Sequence, residues 1–154
     1  PYTISLARWL LNDQHVRAKL LNRPRYVKFY EPEHPAKGLQ ITIKILATFA
    51  EDARAQGKIP IVLIIPVADD LKYAQQKGTW PEQTLVDGLT DMGISTIHAG
   101  PAILNNLNGS DPCTLYQPCN GHFNAIGYKL IADIVSDKIR TSGIRPIGGI
   151  PPDR

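Results

Sequence analysis

The run Ile59-Pro60-Ile61-Val62-Leu63-Ile64-Ile65 constrains this chain more than any other stretch, because it is apolar on both of its alternating faces. A strand with one polar side can lie on the surface of a sheet, but one that is apolar on both sides needs cover above and below, as in a parallel sheet packed between helices. Such a strand also calls for hydrogen-bonded neighbours along its edges. The rest of the chain therefore has to supply helices and further strands.

The flanking sequence answers part of that demand. Residues 3 to 21 are rich in Leu, Ala, Arg and Lys and end at Asn22-Arg23-Pro24, which predicts a helix stopped by the proline. Arg25 to Tyr30, crowded by Pro24, Pro32 and Pro35, reads as an irregular connection. From Gly38 to Gly57 the start alternates like a strand, but the length favours a helix whose buried face carries Leu39, Ile43, Leu46, Phe49, Ala50 and Ala53, with Gly57 as its stop. Thr79-Trp80-Pro81 opens a further helix with a capping hydroxyl, and Leu85, Leu89 and Met92 share its apolar face. Ile94 to His98 reads as a second strand, Pro101 to Leu107 as a brief helix, and a polar loop then runs to Gly121. The last helix starts near Asn124 and carries Ile126, Leu130, Ile131, Ile134, Val135 and Ile139 to about Arg140. This alternation is that of a parallel α/β sheet, yet two strands fall short of what the apolar strand requires. Some of the sheet is expected to lie upstream of Pro1.

At 154 residues and 43% apolar content, one domain or part of one is expected, over residues 1–142, with a Gly/Pro-rich tail at 143–154. No leader and no apolar run near eighteen residues is present, so neither a signal peptide nor a membrane span is expected in these residues. The net charge is only +3, and the densest basic cluster, Arg17, Lys19, Arg23, Arg25 and Lys28, has no nucleic-acid motif beside it. It reads as a solvated face, and no nucleic-acid partner is expected. Cys113 and Cys119 bracket a short loop that contains Pro118, with Pro112 just before it. A disulfide between them would stiffen that loop and point to an oxidising compartment, periplasmic or secreted; two free thiols in a cytosolic protein are the alternative. No zinc site or other metal site is expected, because no histidine pair stands at ligand spacing.

The segment Cys119-Asn120-Gly121-His122-Phe123-Asn124-Ala125-Ile126-Gly127-Tyr128 places one histidine in a tight polar loop directly before the last helix. It resembles the histidine block of the SGNH (GDSL-type) ester hydrolases, in which a Gly-His-Phe-Asn-x-x-Gly-Tyr pattern leads into an apolar helix. The resemblance is specific over about residues 118 to 135 and diffuse over roughly 38 to 140. It implies a three-layer α/β/α, flavodoxin-like fold with an incomplete parallel sheet, and hydrolysis of a carboxylic ester, such as an O-acetyl group on a carbohydrate, without a cofactor. His122 would be the catalytic base, taking the serine proton and returning it to the leaving alcohol. The Gly-Asp-Ser nucleophile block of the family does not occur here, so the chain corresponds to a C-terminal portion, and the serine and oxyanion hole would come from the missing N-terminal part of the same domain.

The family usually places a carboxylate two or three positions before the histidine, where this chain has Asn120 and Cys119. Asn120 is the candidate to orient the imidazole by accepting a hydrogen bond, as amides do in some Cys-His-Asn sites. Asp111 is the nearest upstream acid, and a backbone carbonyl would serve in a Ser-His dyad. The competing reading is a non-catalytic SGNH-derived module that binds glycan or protein. A further one is a small α/β domain that pairs its exposed sheet edge with a second copy. Asp69 and Asp70, after the main strand, read as a loop start and helix cap rather than a metal pair. His15 and His34 read as surface residues and His98 as a strand-end residue. None of the serines sits on a sharp turn after a strand, and Ser110 lies in a turn signature, Asn108-Gly109-Ser110-Asp111-Pro112.

Overall fold

The computed structural model describes residues 26–119 and 121–142, together with Ser5, Trp9, Asp13, Val16, Leu20 and Pro24. Of the expected N-terminal helix, Ser5, Trp9, Val16 and Leu20 are helical. The rest of that segment, Asn120 and the tail at 143–154 lie outside the described residues.

Among the described residues the chain is a mixed α/β domain with five α-helices, a small parallel sheet and a small antiparallel one. Helix α1, Gly38–Ala55, resolves the ambiguous start of its sequence in favour of helix and ends ahead of Gly57, which takes φ +70°. That left-handed conformation suits glycine and turns the chain toward the first strand. The buried face of α1 carries Leu39, Ala47 and Ala50, with Ile43 and Leu46 packed at its margin. Phe49, expected on that face, points outward and is 50% exposed, in line with Ile41 and Ile45 at four-residue spacing.

Strand β1, Ile61–Ile64, pairs in parallel with β2, Ser95–His98, in the register Ile61 to Ser95 through Ile64 to His98. Two helices lie between them in sequence. The first, α2 (Ala68–Lys77), falls where no helix is expected from the sequence, although Ala68, Leu71 and Ala74 recur at helical spacing and Gly78 closes it at φ +70°. Asp70 holds its first turn by accepting a hydrogen bond from Val67 N at 3.2 Å, the capping role expected of this acidic pair. The second, α3, runs from Gln83 to Asp91 and so starts four residues after the expected cap at Thr79, because the chain first makes a turn, closed by Gln83 N donating to Trp80 O at 3.2 Å, that carries Glu82 inward. Leu85 and Leu89 are buried on α3, whereas Met92 is half exposed beyond its end.

Helix α4 (Ala99–Leu107) follows β2 without a loop. A 3-10 turn, Pro112–Leu115, then leads into a two-residue hairpin, β3 (Tyr116–Gln117) against β4 (His122–Phe123), and α5 (Ala125–Thr141) closes the described chain. The apolar interior has two centres. One joins α1, α3, Val62 and Ile94; the other joins α2, α4, Leu115, Tyr116 and Ile131 of α5. Leu71, Leu89 and Ile103 are fully buried, and each such side chain contributes about 2–3 kcal/mol relative to an exposed one.

The demand made by the apolar strand is met on one edge only. Among the described residues β1 pairs with β2 alone, and Ile59, Leu63, Ile65 and Val67 remain between one third and just over one half exposed.

Candidate functional site

The histidine hairpin is built from local hydrogen bonds and anchored to the sheet by one long-range bond. Asp111 caps the 3-10 turn by accepting from Cys113 N at 2.9 Å, and Cys113 in that turn is bridged to Cys119 in the hairpin turn. Asn124, the expected N-cap of the last helix, accepts from Gly127 N at 3.0 Å through Oδ1. Its backbone N–H donates to Leu115 O at 2.9 Å and its Nδ2 to Thr114 O at 2.8 Å, so one residue ties the start of α5 to the 3-10 turn. Gly127 is required by this close approach: a Cβ there would stand 2.3 Å from the Phe123 ring and 2.5 Å from Leu115 O. The spacing His-Phe-Asn-x-x-Gly in the sequence is thus a packing rule for setting a helix against its own hairpin.

The anchor is Tyr116, whose phenol donates to Pro66 O at 2.8 Å, just beyond the carboxyl end of β1. Its ring stacks on Phe123, with centroids 4.5 Å apart. Burial, with Asp70 nearby, pushes the phenol well above the usual tyrosine range and keeps it a neutral donor. The hairpin therefore sits at the carboxyl edge of the parallel pair, the place where parallel α/β proteins assemble sites.

His122 lies on β4 opposite Gln117 and is exposed. Among the described residues its side chain has no hydrogen-bond or ion-pair partner. Asp111 is not available to it: besides capping the 3-10 turn, its carboxylate faces Lys72 Nζ at 3.6 Å. Asn120, the candidate orienting residue, lies outside the described residues.

A second polar group of residues occupies the end of β2. Glu82 is only 2% exposed, and its Oε1 lies 2.9 Å from His98 Nε2, within hydrogen-bond distance. Among the described residues Glu82 Oε2 has no hydrogen-bond partner. The edge of Trp80 meets the His98 ring at 4.7 Å, which Gly100 permits, since a Cβ there would lie 2.5 Å from the indole. Burial, reinforced by Glu82 and Asp69 and opposed by the bond from Val67 N, raises the Asp70 carboxyl to about 6. Burial, with Glu82 and Asp70, likewise raises Tyr30. His98 is the strand-end residue its position predicts. Nothing in the sequence pattern marks Glu82, which is drawn inside by the turn at 79–82; a glutamate between Trp-Pro and a helix is ordinarily solvated.

Among the described residues no three His, Cys, Asp or Glu side chains gather as a metal site, and no helix is long and apolar enough to cross a membrane. Fold and site together define an α/β domain with a braced, solvent-facing histidine at the carboxyl edge of its sheet. No family model matches the chain, and no curated protein or solved structure is significantly similar to it.

Proposed function

We propose that this chain is the histidine-bearing C-terminal part of an SGNH-type serine ester hydrolase with a three-layer, flavodoxin-like fold, working outside the cytoplasm on a carboxylic ester such as an O-acetylated carbohydrate. The observation that carries the proposal is the bond from Tyr116 to Pro66, which holds the His122 hairpin against the carboxyl end of β1. Exposure of His122 leaves the ring free to meet a serine supplied by the upstream part of the domain, and the disulfide suits an extracytoplasmic location.

In this reading the serine hydroxyl gives its proton to His122 as it attacks the ester carbonyl, forming a tetrahedral oxyanion held by donors from the upstream part. The imidazolium then protonates the departing alcohol, and water repeats the sequence to release the acid. Asn120 orients the imidazole. The second reading, a non-catalytic glycan- or protein-binding module, is favoured by one observation: the nearest upstream acid, Asp111, is committed to Lys72 and to the 3-10 turn.

A fluorophosphonate serine-hydrolase probe applied to the full-length polypeptide separates the two. Labelling of an upstream serine that disappears in His122→Gln supports the esterase. A folded protein that takes up no label moves the assignment to the binding module, and label on Ser110 overturns the site.

A further inference from the structure

Lys72 reaches from α2 to the bridge that closes the histidine hairpin. Its Nζ lies 2.8 Å from Cys113 Sγ and 3.7 Å from Cys119 Sγ. An ammonium group gains little from the sulfurs of an intact disulfide, which are weak acceptors, but it stabilises a thiolate, the form in which a sulfur leaves when the bridge is opened. The two sulfurs also differ in access. Cys119 is exposed, while Cys113 is half-buried against the centre formed by α2, α4 and α5.

We propose that Cys113–Cys119 is a thiol-exchange site for low-molecular-weight thiols, in which Cys119 is the sulfur attacked and Cys113 the sulfur expelled toward Lys72. An external thiolate bonds to Cys119 Sγ, the bridge breaks, and its electron pair departs on Cys113 Sγ beside the ammonium group. A second external thiolate then attacks the mixed disulfide, releasing the oxidised external pair and the Cys119 thiolate, which takes a proton from water. Two external thiols are oxidised and the bridge gains two electrons; in the reverse direction the Cys113 thiolate attacks the mixed disulfide and closes the bridge.

Among the described residues the charged groups that reach the bridge are Lys72 from α2 and Asp111 ahead of the 3-10 turn; His122 follows on β4, three residues beyond Cys119. Asp111 opposes a thiolate, but Lys72 contacts Cys113 sulfur directly and lies between the two anions' demands. Opening the bridge releases the turn that leads into His122, whereas the bonds of Asn124 hold the start of α5 in place. The exchange chemistry is independent of the hydrolase reading; only its effect on His122 rests on that reading.

The test follows the rate of iodoacetamide alkylation of Cys113 against pH in the reduced, desalted full chain, read peptide by peptide by mass spectrometry. The expected midpoint lies about one pH unit or more below the ordinary thiol value of about 8.5. In Lys72→Met it returns to that value, about a tenfold fall in the thiolate-to-thiol ratio below the midpoint, while Lys72→Arg, which keeps the charge, retains the low midpoint. A wild-type Cys113 that titrates like an ordinary thiol, or an unchanged midpoint in a folded Lys72→Met protein, overturns the assignment.

Discussion

Two histidines end up near the carboxyl edge of the small parallel sheet, in opposite surroundings. His98 is nearly buried, bonded to a carboxylate and flanked by an indole; His122 is exposed, with no side-chain partner among the described residues. By local geometry alone His98 has the features of an oriented acid–base residue, whereas by sequence pattern His122 has them. The difference teaches that a carboxylate–imidazole pair sealed inside a fold is a structural device unless a reactant can reach it, and that an exposed histidine on a rigid hairpin is suited to complete a site with groups from elsewhere.

The largest expected effect breaks this comparison at its buried side. Glu82→Ala strips the partner from His98 and leaves a cavity, and urea unfolding is expected to show a loss of about 3 kcal/mol. Glu82→Gln keeps the oxygen that His98 bonds and removes a buried charge, so its loss should be far smaller. An unaffected Glu82→Ala protein would mean that the pair is not structural and would reopen His98 as a functional residue.

On the exposed side, Gly127→Ala drives a methyl group into Phe123 and the Leu115 carbonyl, and should lower stability by about 2 kcal/mol. Wild-type stability in Gly127→Ala would show that the hairpin and α5 are not locked together. A pH series sharpens the contrast further. Because the folded state raises Asp70 from 3.8 to about 6, the native protein binds more protons than the unfolded chain between those values. This group therefore favours the fold most below pH 4, and its contribution is lost as pH rises through 6. The expected decline is roughly 1–2 kcal/mol, and Asp70→Asn should flatten it while keeping an acceptor for Val67 N. A decline that survives in Asp70→Asn would place the titrating group elsewhere. Smallest of all, His122→Ala should change stability by no more than about 0.5 kcal/mol, since the residue is exposed, while on the proposed hydrolase reading it abolishes probe labelling of the full-length polypeptide. A large loss of stability in His122→Ala would assign the residue a structural role.

Much of the secondary structure was legible along the chain. Period and punctuation located α1, β1, β2, α4 and α5, and Asn124 caps as its position predicts. Helix α2 is hard to read from the sequence: it has ten residues, and its buried stripe of Ala68, Leu71 and Ala74 is short and mostly alanine among polar residues. The hairpin is harder still: two residues per strand are too few to show an alternating pattern. Phe49 and Met92 were placed inward by spacing and lie outward, since a periodic stripe tells which residues share a face and not how much of that face finds a neighbour.

What the sequence determined by itself is whatever depends on residues close together in the chain: strand against helix, the glycine stop at 57, and the His-Phe-Asn-x-x-Gly unit that presents His122. Only the tertiary structure decided which groups meet across long separations: His98 with Glu82 over 16 residues, Lys72 with Cys113 over 41, and Tyr116 with Pro66 over 50. The physical reason is that propensity and periodicity act through backbone torsions and near neighbours. The burial of a charge, the state of a carboxyl group and the reactivity of a sulfur depend instead on what distant segments bring within a few ångströms.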